Sequence, residues 1–174
     1  KLPHVRLKEI FRQSMKSLIV TNAHRIVTGQ MPDLSRRDGD FFLLDEPNPH
    51  RAAQLLCDLC VERLPAAYGF DPLRDIQLLC PSRKMETGAM RMNQRLQQLL
   101  NPPGTAEFHM GQTVLRVGDK VMQMKNNYDI PWVKDDGEEG SGIFNGDIGI
   151  LLSADRSDNL SVRFDDRVAQ YADM

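Results

Sequence analysis

The stretch LLNPPGTAEFHMGQTVLRVGDKVMQ, residues 99–123, divides the 174-residue chain into two patterns. Before Asn101-Pro102-Pro103-Gly104, short apolar runs alternate with segments of helical period. Ser14 is a plausible N-cap for a helix carrying Met15, Leu18, Ile19, Ala23, Ile26 and Val27, and Gly29 stands where it would stop. Asn48-Pro49 opens a second helix to about Leu64, and Gly88 a third to Leu100. Val5–Leu7, Phe41–Leu44 and Ile76–Cys80 fall between them as strand candidates. Strand and helix in alternation predict a three-layer α/β unit with a mostly parallel sheet over residues 1–106.

After the double proline no helical period survives. Val114, Val117, Lys120-Val121-Met122, Gly142-Ile143-Phe144, Ile148 to Leu152 and Leu160 to Phe164 are short strand candidates separated by Gly, Asp and Asn turns. Residues 107–174 are therefore expected to form a small antiparallel barrel of about five strands, with DDGEEGSG (135–142), which has no apolar residue, as a mobile hairpin tip. The boundary falls near Gly104 to Gly111.

Charge is balanced overall, with 22 Lys and Arg against 24 Asp and Glu, so composition alone makes no case for a polyanion partner. The distribution is uneven: Lys1 to Arg37 holds eight basic residues and two acidic ones. No apolar run approaches the roughly 18 residues that span a bilayer, nor does any signal peptide appear, which predicts a soluble cytoplasmic protein without a membrane partner. Cys57-x-x-Cys60 has metal-ligand spacing, yet no second pair accompanies it and both cysteines fall on an apolar helical stripe with Ala52, Leu55, Leu56 and Leu59. Core packing is the expectation, and no metal site is assigned.

Chemistry is bounded first by an absence. The sequence contains no G-x-x-x-x-G-K-[ST] loop, and the dipeptide Gly-Lys does not occur. Nothing in this stretch would cradle the phosphates of a nucleotide, so no ATP hydrolysis is expected of it alone. Three positive signals remain. In Arg6-Leu7-x-Glu9-Ile10-Phe11-Arg12-Gln13-Ser14, an arginine directly before a helix start lies beside free backbone N–H groups that favour an anion. In Pro81-Ser82-Arg83-Lys84-x-x-x-Gly88-x-x-x-x-Asn93, hydroxyl, guanidinium, ammonium and helix-start donors gather as they do where proteins hold a nucleic-acid backbone. In the barrel, Asn126-Asn127-Tyr128 is the exposed polar and aromatic group best suited to stack on or hydrogen-bond single-stranded DNA. Trp132 either joins that group or closes the barrel core.

Read whole, RLKEIFRQSMKSLIVTNAHRIVTGQMP (6–32) resembles motif IV of RecD-like, superfamily 1 DNA helicases, the family of the exodeoxyribonuclease V alpha subunit. The Leu78 to Pro102 stretch is similar to the strand and helix that follow that motif, apart from Met85 where a glycine is common. The series GDKVMQ, NNYD, FNGDIG and FDD looks like the SH3-like domain inserted in the second motor domain of these enzymes. The three resemblances follow in family order. They imply a partial RecA-like, P-loop NTPase-type second motor domain over residues 1–106, with an inserted SH3-like barrel and the start of a return to the motor over 107–174. They imply an intact ATP-dependent helicase of 5′-to-3′ polarity that uses ATP and Mg2+, neither expected on this stretch by itself. Both chain ends look cut, and the resemblance implies Walker A and B elements before Lys1 and motifs V and VI after Met174.

By the same resemblance Arg12 is the nucleotide-binding, catalytic arginine that reaches the ATP γ-phosphate. Ser82, Arg83, Lys84, Gly88, Asn93, Asn126, Asn127 and Tyr128 are the DNA-binding candidates. Single-stranded DNA and the remaining helicase domains of the same chain are the implied partners. The competing readings are a stand-alone single-stranded nucleic-acid-binding or adaptor module without ATPase activity and, more remotely, a purely structural protein.

Overall fold

The structure is a computed structural model that describes residues 17–104, 107–111, 113–154 and 159–172. Arg12, the strand candidate Val5–Leu7 and the cap candidate Ser14 lie outside the described residues. The chain divides into two compact units, Lys1–Pro47 and Asn48–Met174.

In the first unit, helix α1 (Leu18–Val27) starts later than the sequence suggested, with Ser17 as its N-cap. A second group fixes that start: the Asp40 carboxylate accepts hydrogen bonds from Leu18 N at 2.8 Å and Ile19 N at 3.3 Å, and Ser17 Oγ donates to it as well. These bonds occupy donors that a helix N-terminus leaves open and hold the Asp40 carboxyl below its ordinary range, the Ser17 hydroxyl contributing most. The expected apolar stripe is not the buried face. Leu18, Val20 and Asn22 are buried, whereas Ile19, Ile26 and Val27 are exposed. Buried Asn22 earns its place by pairing with Asp33 in both directions, at 2.7 Å to its N–H and 3.0 Å to its carbonyl. Phe41–Leu44 forms no ladder, and Phe42, Leu43 and Leu44 are all partly open to solvent.

In the second unit, helix α2 (Pro49–Asp58) is capped by Asn48, whose side chain accepts from His50 N and Arg51 N, with Pro49 at a position where its missing N–H is no loss. The helix widens into a π-turn (Leu59–Arg63) and continues as α3 (Leu64–Tyr68). Pro65 gives the cause. Inside an α-helix its ring would press on the carbonyl four residues back, and the wider turn, in which Leu64 N bonds Leu59 O, relieves that contact. Helix α4 (Ala89–Leu100) lies against α2, with Ala53, Cys57 and Met92 buried between them and Leu56, Leu78, Cys80 and Leu96 around them. Ile76–Cys80 forms no ladder either: Leu78 and Cys80 turn to this core and Leu79 is exposed, an alternation of period two in a segment that pairs with no other strand among the described residues. The mostly parallel sheet expected over residues 1–106 is thus not seen among the described residues, because every strand pairing they contain is antiparallel and begins at Glu107.

Eight strands follow among the described residues, not about five. Strands β1 (Glu107–Met110) and β2 (Thr113–Arg116) make a hairpin. Strands β3 (Lys120–Met122), β4 (Asn127–Lys134), β5 (Glu139–Ile143), β6 (Ile148–Ala154), β7 (Leu160–Phe164) and β8 (Arg167–Tyr171) form a sheet in the order β3-β6-β7-β8-β4-β5. Its core is Phe108, Ile130, Ile143, Leu151, Leu160, Val162, Phe164 and Ala169. Register brings these together: Leu151 faces Val162, and Val162 faces Ala169, across the neighbouring strands β6, β7 and β8.

The expected hairpin tip at 135–142 is half strand. Its second half is β5, paired to β4 through Val133–Glu139 and Trp132–Gly140, while Asp135 is bound by both its oxygens to Arg163 at 2.8 and 2.9 Å. The absence of apolar residues misled here because Gly140 serves the core by lacking a side chain: a Cβ there would lie 2.4 Å from the Trp132 ring. Trp132 packs against the core with its Nε1 buried and unpartnered, and the Lys134 and Arg167 cations lie 5.8 and 5.7 Å from its ring. Of the two sequence readings of Trp132, closure of the core is the one the structure bears out.

Candidate nucleic-acid interface

Residues Ser82 to Gly88 connect the extended Ile76–Cys80 segment to α4, and their backbone folds tightly onto the helix start. Gly88 N donates to Met85 O at 2.8 Å, Ala89 N to Ser82 O at 3.0 Å and Met90 N to Arg83 O at 3.1 Å. Gly88 is the residue this requires: a Cβ would meet Met85 N at 2.7 Å and Arg83 C and O at 2.8 and 2.9 Å. Met85, by contrast, needs no glycine, since Asp165 is the one non-glycine residue with positive φ among the described residues, and its side chain points to solvent.

This geometry corrects one part of the sequence reading. The N–H groups of Gly88, Ala89 and Met90 are not presented to a ligand, because the loop's own carbonyls take them. What the loop presents is side chain. The side chains of Arg83 and Lys84 are exposed and have no hydrogen-bond or ionic partner among the described residues. Ser82 beside them is half-buried, and Asn93 is exposed one turn into α4.

Arg91 and Arg95, on the same helix, are engaged elsewhere. Both guanidiniums bind the Glu86 carboxylate, and His50 Nδ1 approaches Glu86 Oε1 at 3.2 Å. Glu86 is nearly buried under these groups. Burial pushes its carboxyl upward, but the Arg91 hydrogen bond and the charges of Arg95, His50 and Arg91 outweigh that and hold it below the ordinary carboxylate range. Sequence reading missed this cluster, since five- and nine-residue separations from a loop are not the helical spacings at which charge pairs are sought.

The far end of α4 is locked to the sheet. Asp119, buried in the turn before β3, accepts from Gln97 Nε2 at 2.5 Å, Asn101 Nδ2 at 2.8 Å and Arg116 N at 2.7 Å. Gln97 also donates to Val114 O and Asn101 to Val117 O, at 2.9 and 3.1 Å. Arg116, buried too, donates to Asn101 O at 3.1 Å and Glu107 Oε1 at 2.7 Å. Lys120 Nζ donates to Ile76 O at 2.9 Å, and its burial lowers its pKa. Gln97 and Asn101 are four residues apart and so share the helix face that meets the sheet.

On the sheet, the three candidates at the start of β4 differ in what they offer. Asn126 Oδ1 accepts from Asn145 N at 2.9 Å and Asn127 Oδ1 from Asp129 N at 3.0 Å, so both amide oxygens serve the turns. Tyr128 is 65% exposed and meets Phe144 edge-on, with ring centres 5.5 Å apart. Phe144 is itself 40% exposed, and the sequence reading did not select it; its place directly before Asn145-Gly146 was the available signal. Cys57 and Cys60 are buried, which raises both thiol pKa values, and Cys57 packs in the apolar cluster between α2 and α4. No group of three or more His, Cys, Asp or Glu residues able to hold a metal ion occurs among the described residues, and none of their helices is long and apolar enough to cross a membrane.

Comparison with known proteins places this geometry. Residues 92–164 match the family model described as the SH3 domain of ATP-dependent RecD-like DNA helicases. Over 171 residues, 97% of this chain, the sequence is 32% identical to the ATP-dependent RecD2 DNA helicase of Deinococcus radiodurans. The chain spans about a fifth of that relative, 20% of its length. The matched SH3 region starts at Met92, inside α4, in accord with the polar network that ties Gln97 and Asn101 to the sheet. With the similarity extending through the residues on both sides of that boundary, the chain matches a fragment of a RecD-like DNA helicase, with residues 92–164 aligned to the SH3 domain of that family.

Proposed function

We propose that this chain forms part of the single-stranded DNA path of an ATP-dependent helicase that moves 5′ to 3′, with residues 1–106 belonging to a RecA-like second motor domain and 107–174 to the inserted SH3-like barrel and its return. One observation carries the reading. Arg83 and Lys84 stand exposed and unpaired among the described residues, on a loop whose backbone is fixed to α4 by three hydrogen bonds. Two cations on a fixed backbone suit a regularly charged strand, because each phosphate neutralised releases condensed counterions whatever the base. Ser82 supplies a hydroxyl beside them and Asn93 an amide further along α4, while Gly88 shapes the loop. Tyr128 with Phe144 offers an aromatic surface for bases, and Asn126 and Asn127 act by shaping the turns around it.

The described residues do not by themselves fit an ATP and Mg2+ site, since no group of three or more His, Cys, Asp or Glu able to hold a metal ion occurs among them and the sequence has no phosphate loop. Arg12 is proposed as the nucleotide-contacting arginine from its place in the sequence. The test is binding of the full-length protein to single-stranded DNA at several salt concentrations. Arg83→Ala and Lys84→Ala are each expected to flatten the salt dependence by a slope of ~0.7, equally for all base sequences. Slopes equal to wild type would remove the loop from the DNA path. Unwinding of substrates with a 5′ or a 3′ overhang tests the polarity separately.

A further inference from the structure

Three basic side chains converge on one point beside the loop, and a carboxylate of the same loop occupies it. Arg91 and Arg95 each bind one oxygen of Glu86, and His50, from the first turn of α2, reaches Glu86 Oε1 at 3.2 Å. The arginines are not otherwise sunk in the fold: the Arg91 side chain is 57% exposed and that of Arg95 37%, while Glu86 is 10% exposed beneath them. Two guanidiniums that face solvent and share one acidic group form an anion site already filled from within. A planar guanidinium serves a phosphate as well as a carboxylate, with the same paired donors.

We propose that Glu86 is an internal competitor of DNA phosphate, which keeps Arg91 and Arg95 out of the backbone grip made by Arg83 and Lys84. The proposal rests on the reading of this loop as a DNA contact. Glu86 meets the arginines only through its side-chain oxygens, so rotation of that side chain separates the carboxylate from them while the backbone hydrogen bonds of Gly88, Ala89 and Met90 to Met85, Ser82 and Arg83 stay in place. With Glu86 in place the grip has two cations; with Glu86 displaced it has four. A strand held firmly in one state and loosely in the other is what stepping along DNA requires.

Glu86→Gln keeps the size and the hydrogen-bonding shape of the side chain and removes its charge. In the full-length protein, single-strand binding by this variant should be tighter at low salt and steeper in its salt dependence, by a slope of up to about 1.4 for two added phosphate contacts. Between 50 and 200 mM salt that steeper slope widens the loss of affinity by about sevenfold relative to wild type. Glu86→Gln combined with Arg91→Ala and Arg95→Ala should return the slope to the wild-type value, which separates released arginines from a general loosening of the loop. An unchanged or flatter slope in Glu86→Gln overturns the proposal, and Glu86 then serves to orient the arginines. Arg83→Ala in parallel distinguishes the two failures: if it flattens the slope, the loop contacts DNA and only the competition is wrong; if it does not, the DNA reading of the loop fails first.

Discussion

The sheet domain and the helical layer beside it solve the same problem with different margins. The sheet buries eight apolar residues in one cluster, whereas α2 and α4 bury three between them. The sheet's residues alternate inward along strands whose pairing is complete at the centre. The helical layer is thin; Leu79, Met85, Met90 and Leu99 are open to solvent there, as Met122, Met124, Ile148 and Leu152 are in the sheet region. The difference teaches where each property resides: stability is concentrated in the strands, and the exposed cations sit on a loop that needs only a few backbone bonds to hold its shape. The Asp119 network joins the two through polar contacts instead of a shared apolar core.

The strongest way to break that contrast is to empty each core in turn. Phe164→Ala should cost ~3–5 kcal/mol and Met92→Ala a value at the low end of ~2–5 kcal/mol, because the thin layer around Met92 collapses more readily into the space. Trp132 is the one tryptophan of the chain and lies in the sheet domain, so urea unfolding followed by its fluorescence reads the sheet directly. A Met92→Ala loss as large as that of Phe164→Ala would show one core and not two of unequal depth.

Next in size is the joint between them. Asp119→Ala removes the acceptor shared by Gln97, Asn101 and Arg116 and leaves buried donors without a partner, at about 1–3 kcal/mol. Amide hydrogen exchange should then rise in the last turn of α4 and the turn at 117–119 while β6 to β8 stay protected. Uniform loss of protection would mean that Asp119 supports the sheet itself.

A smaller effect sharpens the picture of the sheet's interior. Tyr171 donates its hydroxyl to Gln123 Oε1 at 2.8 Å, and burial, with the charge of Asp147 adding to it, pushes its pKa from 10.0 up to about 12. A raised folded-state value means that the stability held in the neutral phenol is complete below pH 10 and is lost as pH climbs from 10 toward 12. Tyr171→Phe should abolish that part of the alkaline decline, measured by unfolding midpoints across the same pH range.

The sequence announced much of the sheet but not its full extent. Strands β2, β3, β5, β6 and β7 overlap the runs of Val, Ile, Leu and Phe between turn residues. Strand β4 was hidden by its polar opening, Asn127-Tyr128-Asp129, and by Pro131, which demotes a strand on propensity, although here it falls where the β4–β5 register shifts. Strand β1 is four residues with a single buried position, Phe108, too little for alternation to show. In the helical half the apolar runs at 41–44 and 76–80 read as strands because periodicity reports burial and cannot report whether a pairing partner exists. At the site, Arg83 and Lys84 were legible as exposed cations after a proline. Glu86 was not, for its partners are fixed only once the loop folds back over the helix start.

The claim on which the rest depends is that the Ser82–Gly88 loop and the Tyr128–Phe144 face lie on one strand of DNA. It is tested most directly by placing a photoreactive residue at Lys84 or at Tyr128 in the full-length protein and mapping the crosslinked nucleotides on a single-stranded oligonucleotide anchored at one end. Both positions should crosslink the same strand, at nucleotides separated by a constant offset. A bound strand that crosslinks from neither position, or from one alone, would contradict it.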